Sequence, residues 1–354
     1  MATDEPPVGV PADLHEDAKG AQITCTACAH RCTLDPDQSG ICSVRTNHDG
    51  QLYLETYGQV YDRPFGPPGT PDPIEKKPLY HVAPGTRILS FGGASCNFAC
   101  RFCQNSHIAD AEPDELSLRT VEPDDAVESA REQGCTGMAW TYNEPTIYAE
   151  YVRDSAELAH EAGLYTAIVT NGYVTEEFVE SVGPHLDAAN VDIKGMNERT
   201  HRQYVGARAA PSREGAERLA DAGIHVEVTY LTIPDVNDDP DEIRAFVEWV
   251  RDTLGPSTPV HFSRFHPDHE MSDHRPTPVE TLDRAAEIAR DAGLEFVYVG
   301  NVPGHPAGDT HCPDCDRVWI ARDGFDATLQ VNRGSETCAC GRPLDLTWLA
   351  DRTA

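Results

Sequence analysis

Lysine is nearly missing from this chain of 354 residues: there are four, Lys19, Lys76, Lys77 and Lys194. Positive charge is scarce altogether, with 28 Lys and Arg against 59 Asp and Glu, a formal net charge of -31. That deficit excludes the basic footprint that nucleic-acid binding needs. Spread along the chain, the acidity favours solubility at the cost of self-repulsion, and it reads as halophilic, the mark of a salt-rich cytoplasm. Long apolar runs are also lacking; none approaches the roughly 18 residues of a membrane span. Residues 1–20 have neither a basic start nor an apolar centre, so they are no signal peptide and read as a disordered acidic tail. The expected location is cytoplasmic.

Cysteine is plentiful by contrast. Twelve cysteines without a secretion signal point to metal or catalysis rather than disulfides. They fall into three sets plus Cys135, which reads as a buried core residue. The middle set lies in FGGASCNFACRFCQN, Phe91 to Asn105, as Cys96-x3-Cys100-x2-Cys103. A cubane iron–sulfur cluster normally takes four thiolates. Three, with no fourth following, would leave one iron open for a small molecule. Gly92 and Gly93 would let the backbone approach a bulky inorganic group, and Phe102 offers an aromatic face.

The first set, Cys25, Cys28, Cys32 and Cys42, fits either a tetrahedral zinc site or a second, closed iron–sulfur cluster. His30 among them reads as a neighbour, not a ligand. The last set, Cys312, Cys315, Cys338 and Cys340, reads as a zinc ribbon, with β-rich Val318–Arg322 and Thr328–Val331 between its knuckles. Gln51 to Val60 alternates like a strand, and Arg63 to Pro73 reads as a proline-rich connector. It leads into DPIEKKPLYH, Asp72 to His81, where two adjacent lysines serve either a ligand contact at a barrel mouth or a packed, ion-paired linker.

From Arg87 onward, apolar runs alternate with helical patterns, the sign of βαβ units and a parallel sheet. Strands are expected at 87–91, 137–141, 165–170, 188–193, 225–231, 260–265 and 295–299. Helices are expected at 123–133, 146–162, 176–182, 212–222, 239–253 and 279–292. The fold class is α/β, a partial (β/α)6-type TIM barrel between a small N-terminal four-cysteine metal-binding region and a C-terminal zinc-ribbon-like module. The domain map is a tail over 1–20, the metal-binding region and linker over 21–80, the barrel over 81–308 and the ribbon over 309–354. In such barrels chemistry belongs at the C-terminal strand ends. There the sequence places the cysteine triad, Tyr142-Asn143-Glu144-Pro145, Thr170-Asn171-Gly172, Asp192-Ile193-Lys194 and Arg264-Phe265-His266.

The spacing C-x3-C-x-aromatic-C resembles the signature of the radical S-adenosylmethionine (SAM) superfamily. With DPIEKKPLYH, CNFACRFCQN, TYNEPT, VTNGYVT, NVDIKG, HFSRFHP and YVGNVPG, the chain is identified as similar to the radical SAM enzymes of the AmmeMemoRadiSam system, relatives of pyruvate formate-lyase activating enzymes. The resemblance implies a [4Fe–4S] cluster on Cys96, Cys100 and Cys103, with SAM on its open iron. It implies Phe102 near the adenine, and Asn143, Glu144, Asn171, Asp192, Lys194 and His266 as cofactor-binding residues, with His261 as the competitor of His266. Two glycines of the family's Gly-Gly-Glu-Pro stretch are replaced by Tyr142 and Asn143, and Val169 stands where the family has an aspartate. The implied activity is reductive cleavage of SAM to methionine and a 5′-deoxyadenosyl radical that abstracts hydrogen from a substrate. That substrate is expected to be a partner protein, activase-like or a Memo-like or AMMECR-type partner, with ferredoxin or flavodoxin as reductant. The alternative is a non-catalytic iron–sulfur electron carrier or zinc-scaffolded interaction module.

Overall fold

The structure, a computed structural model, describes residues 8–62 and 65–348. Its centre is an eight-stranded sheet with seven parallel strands in chain order: β1 (Arg87–Phe91), β2 (Gly137–Trp140), β3 (Tyr165–Thr170), β4 (Ala188–Ile193), β5 (His225–Thr232), β6 (Val260–Arg264) and β7 (Val297–Gly300). These segments are buried nearly throughout, as expected for parallel strands covered on both faces. β1 and β7 are not paired, so the barrel is open.

The helices over the sheet are α1 (Pro123–Glu132), α2 (Ala149–Glu161), α3 (Glu176–Val182), α4 (Glu198–Tyr204), α5 (Ala210–Asp221), α6 (Pro240–Trp249) and α7 (Val279–Asp291). The starts of α3, α4 and α6 are set by side-chain caps: Thr175 accepts from Phe178 N, Asn197 from Arg199 N and Thr200 N, and Asp239 from Asp241 N. Two expected helices are shorter than their periodicity implied. Pro145–Tyr148 is a 3-10 turn ahead of α2, and Val250–Leu254 forms a π turn after α6.

Three expectations are corrected. The connector ends in a strand, Thr70–Pro73, which pairs antiparallel with β1 at the edge of the sheet. Its two prolines are tolerated because an edge strand need not donate on both sides. The acidic tail does not extend to residue 20. Val10–Pro11 pairs with Tyr53 and Leu54, and His15–Asp17 pairs with Ile23–Cys25. Ala12 and Leu14 are buried there, two apolar anchors hidden among acidic neighbours; residues 1–7 of the tail lie outside the described residues. Helix α4 was not anticipated, because its sole buried side chain is His201 and no apolar stripe marks it.

The C-terminal region is a three-stranded antiparallel sheet, Thr310–His311, Val318–Asp323 and Asp326–Leu329. It packs against the start of the barrel strands through Tyr80, Phe296, Tyr298, Trp319 and Ile320. No helix among the described residues is long and apolar enough to cross a membrane.

Candidate active site

Cys96, Cys100 and Cys103 lie on the loop that leaves β1. Backbone bonds hold that loop: Ser95 N to Ile108 O at 2.7 Å, Ala99 N to Val205 O at 3.0 Å and Arg101 N to Tyr204 O at 2.9 Å. The last two fasten it to the end of α4, so the helix missed in the sequence is what positions the cysteines. Phe98, Cys100 and Phe102 are buried among Tyr173, Val205, Ile233, Phe265 and Met271. Burial pushes the Cys100 thiol up to about 12, with Lys194 acting against it, and pushes Cys96 well up. Left as free thiols all three stay protonated at neutral pH; bound iron would deprotonate them.

Packing also requires Gly92 and Gly93. A Cβ at Gly92 would lie 3.0 Å from Thr141 O, and one at Gly93 would lie 3.1 Å from Tyr148 Cε1. These glycines let the loop pack against the end of β2.

The Asn143 side chain is taken up by the same loop. Its Oδ1 accepts from Gly93 N at 2.9 Å and Tyr148 OH at 3.2 Å, and its Nδ2 donates to Ala94 O and Ser95 O at 3.3 and 2.8 Å. Those four bonds use the side chain's whole capacity, so the Asn143 side chain holds the cysteine loop. Glu144 is buried and kept in place by β3: Oε1 accepts from Thr170 Oγ1 at 2.7 Å and Thr146 N at 3.1 Å, and Oε2 from Asn171 N at 2.7 Å. Burial raises its pKa and these bonds oppose the rise. One acceptor position on Oε2 stays free. Asn171 Nδ2 donates to Asn97 Oδ1 at 2.8 Å, next to Cys96.

Asp192, near the end of β4, and Lys194, just past it, form an ion pair through Asp192 Oδ2. Asp192 Oδ1 is buried without a hydrogen-bond partner. Burial lowers the Lys194 pKa, but Asp192 and the thiols of Cys100 and Cys103 outweigh it and raise it overall. Its ammonium lies 6.0 Å from the Phe102 ring centroid. A cation beside two of the thiols, an orphaned carboxylate oxygen and a spare position on Glu144 suit a ligand with both amino and carboxylate groups. The residues therefore fit an amino-acid-bearing cofactor next to a thiolate-held cluster.

His266 follows β6 and is exposed at this same end of the sheet. Its competitor His261 is buried near the opposite end, where its Nε2 meets Glu227 Oε2 at 2.7 Å and its ring stacks on Tyr298. His81 joins the same group through Tyr298 OH at 2.6 Å. The DPIEKKPLYH segment belongs to packing rather than to the mouth. Lys76 and Lys77 both pair with Asp72, at 2.8 and 2.6 Å, and Lys77 is buried against the Tyr142 ring. Burial pushes the Asp72 carboxyl up, but the two ammonium groups and the Tyr142 hydroxyl outweigh it and hold it at about 2.

Among the described residues, one group of metal-ligating side chains converges on the space of a single ion: Cys312, Cys315, Cys338 and Cys340, with all ligand atoms within 4.8 Å of one another. The pairs Cys312–Cys340 and Cys315–Cys338 are 3.6 and 3.8 Å apart. Four thiolates at ~2.3 Å from a tetrahedral ion would lie about this far apart. Cys135 is buried and belongs to the core.

A profile of the Radical SAM superfamily matches residues 91–249, from the end of β1 through α6. An uncharacterised protein of Methanocaldococcus jannaschii is 39% identical over 338 residues, covering 95% of this chain and 98% of that protein. Pyruvate formate-lyase 1-activating enzyme of Escherichia coli is 23% identical over 234 residues, covering 61% of this chain and 93% of the enzyme. A solved domain of pyruvate-formate lyase-activating enzyme from Bacteroides vulgatus superimposes with a TM-score of 0.42 at 19% identity, covering 47% of this chain and 99% of that domain. The chain belongs to the radical SAM superfamily, with homology to pyruvate formate-lyase activating enzymes. Membership implies a [4Fe–4S] cluster and SAM.

Proposed function

We propose that this protein cleaves SAM reductively and uses the resulting radical on a partner protein. The observation that carries the reading is the juxtaposition of the three-cysteine loop with Lys194, Asp192 and Glu144, each with capacity to spare. Cys96, Cys100 and Cys103 would hold the cluster, which together with SAM supplies reductive carbon–sulfur cleavage and a 5′-deoxyadenosyl radical.

The chain's own residues bind, orient and shield. Lys194 would meet the SAM carboxylate, Glu144 Oε2 and Asp192 Oδ1 would accept from its amino group, and Phe102 and His266 would serve the adenosyl part. Asn171 steadies Glu144 from the β3 end, and Asn143 steadies the cysteine loop. The buried packing of Phe98, Phe102, Phe265 and Met271 keeps water from the thiols.

A protein substrate is favoured by the open side of the sheet and by relatives named as activating enzymes of other enzymes, including that of benzylsuccinate synthase in Thauera aromatica. An AmmeMemoRadiSam role, with a Memo-like or AMMECR-type partner and a ferredoxin or flavodoxin donor, is the form of this proposal that the sequence motifs favour. The ribbon thiols would hold structural zinc.

Anaerobic reconstitution followed by assay for 5′-deoxyadenosine tests the proposal. The product should form with SAM and a strong reductant, and Cys100→Ala should abolish it while lowering bound iron. A fully loaded protein that makes none under these conditions would refute the reading.

A further inference from the structure

Cys25, Cys28 and Cys42 are buried and Cys32 is half-buried, in a knuckle closed by Cys25 N donating to Cys32 O at 2.9 Å. Among the described residues, neither these four nor Cys96, Cys100 and Cys103 gather within 4.8 Å of one another as the ribbon thiols do. Four irons at the corners of a cube hold their thiolates farther apart than one ion does. Both sets therefore share a spread suited to a cluster. Gly40 lies beside two of these sulfurs: a Cβ there would sit 3.8 Å from both Cys32 Sγ and Cys42 Sγ.

A second observation points to a ligand. Arg45 is 1% exposed, and its Nη1 has no hydrogen-bond partner. Its Nε and Nη2 are taken by Ile147 O and Glu150, and the charges acting on it after Glu150 are the thiols of Cys25 and Cys42. An orphaned, buried guanidinium donor costs free energy unless something accepts from it. The sulfurs of an anionic metal centre held by these thiolates would.

The knuckle is docked on the active-site loop. Cys28 bridges to Val174, just after the Asn171-Gly172 turn, and His30 Nε2 meets Asn97 O at 2.8 Å. The Asn97 side chain lies between the two cysteine sets. Its Oδ1 is 3.8 Å from Cys96 Sγ and accepts from Asn171 Nδ2 at 2.8 Å, and its buried Nδ2 has no acceptor of its own.

We propose that Cys25, Cys28, Cys32 and Cys42 hold a second [4Fe–4S] cluster, which passes single electrons to the site at Cys96, Cys100 and Cys103. The relay rests on the function proposed above; the second cluster does not. No atoms move. An external one-electron donor, a reduced iron–sulfur protein or flavoprotein, is oxidised as the N-terminal cluster goes from 2+ to 1+. That cluster returns to 2+ as the barrel cluster is reduced.

The full chain, purified and reconstituted without oxygen, should carry about eight irons, four per cubane, with zinc confined to the ribbon. Cys28→Ala/Cys32→Ala, and separately Cys42→Ser, should lower iron toward about four, with the SAM-responsive EPR signal kept as a sign that the barrel is folded. Cys96→Ala/Cys100→Ala/Cys103→Ala should keep about four irons and show a reduced-cluster EPR signal that SAM does not perturb. About four irons and two zincs in the unaltered chain, or undiminished iron in Cys28→Ala/Cys32→Ala, would overturn the assignment. For the relay, reduction of the remaining cluster in Cys28→Ala/Cys32→Ala by a reduced iron–sulfur protein should slow severalfold, read as bleaching of visible absorbance; an unchanged rate overturns it. Neither readout requires SAM cleavage, so missing 5′-deoxyadenosine alone would count against the proposed function and leave the second cluster standing.

Discussion

At the start of the barrel strands, Glu75, His81, Glu227, His261 and Arg322 are buried and tied to one another or to the backbone. Glu227 takes His81 N at 2.7 Å, His225 at 3.2 Å and His261 at 2.7 Å. Arg322 reaches Tyr80 O at 2.8 Å and Thr310 Oγ1 at 2.7 Å, and faces Glu75 at 3.9 Å. At the far ends of the same strands, Glu144, Asp192 and Lys194 are also buried or half-buried, yet Asp192 Oδ1 is orphaned and Glu144 Oε2 has room. Both ends hold carboxylates beside cations. What separates them is the carboxylates: Glu227 takes three donors at the barrel–ribbon end, where the orphaned atom is a donor, Arg322 Nε, while Asp192 keeps a bare oxygen at the other.

The largest way to test this contrast is Arg322→Met. It strands Glu75 as a buried, unpaired carboxylate and should cost about 3–5 kcal/mol of stability, measured by denaturant unfolding, with SAM affinity of the folded fraction unchanged. A loss of affinity without a loss of stability would reverse the roles of the two ends. Lys194→Met should do the opposite. SAM binding by calorimetry should weaken about tenfold to a hundredfold, as for a lost charged hydrogen bond worth ~1.5–3 kcal/mol, with little change in melting temperature.

Asn143→Ala should fall between the two, leaving Gly93 N and Ser95 O without their partner at a cost of about 1–3 kcal/mol. Its signature is faster loss of iron from the barrel site, followed by absorbance. Retention of iron together with loss of SAM binding would instead make Asn143 a ligand-contacting residue.

The smallest effect concerns pH. Burial, only partly opposed by Glu227, lowers the His81 pKa from its ordinary 6.5 to about 3. The unfolded chain therefore takes up a proton that the folded chain refuses as pH falls below 6.5. His81 stability is complete above that pH and is lost progressively down to about 3. Replacing it with Gln should flatten the stability slope in this window by roughly 1 kcal/mol per pH unit. An unaltered slope would assign acid sensitivity elsewhere in the network.

The strand-end logic was readable because apolar runs of five or six residues end in short polar tripeptides. β1, β3, β4 and α3 match their expected bounds in full. The missed parts share a cause: their stabilisation comes from partners far along the chain. Helix α4 has no apolar stripe, and the Thr70–Pro73 strand hides behind its prolines. The role of Asn143 depends on four partners that no local pattern displays. The Lys76-Lys77 pair could be noticed but not placed, since a scarce residue type marks importance without saying whether it packs or reacts.

By itself, the sequence determined the order of β/α units and the grouping of cysteines into three sets, because spacing and periodicity are local properties. Cys96-x3-Cys100-x2-Cys103 was legible in that way. Tertiary structure alone decided which buried charges were left unsatisfied, and whether four thiols converge within the reach of one ion or stay spread. It also decided that Asn97 would stand between two cysteine sets 54 positions apart at Cys42 and Cys96. Hydrogen-bond saturation and sulfur spacing arise only when distant segments meet, and so no run of residues can encode them alone.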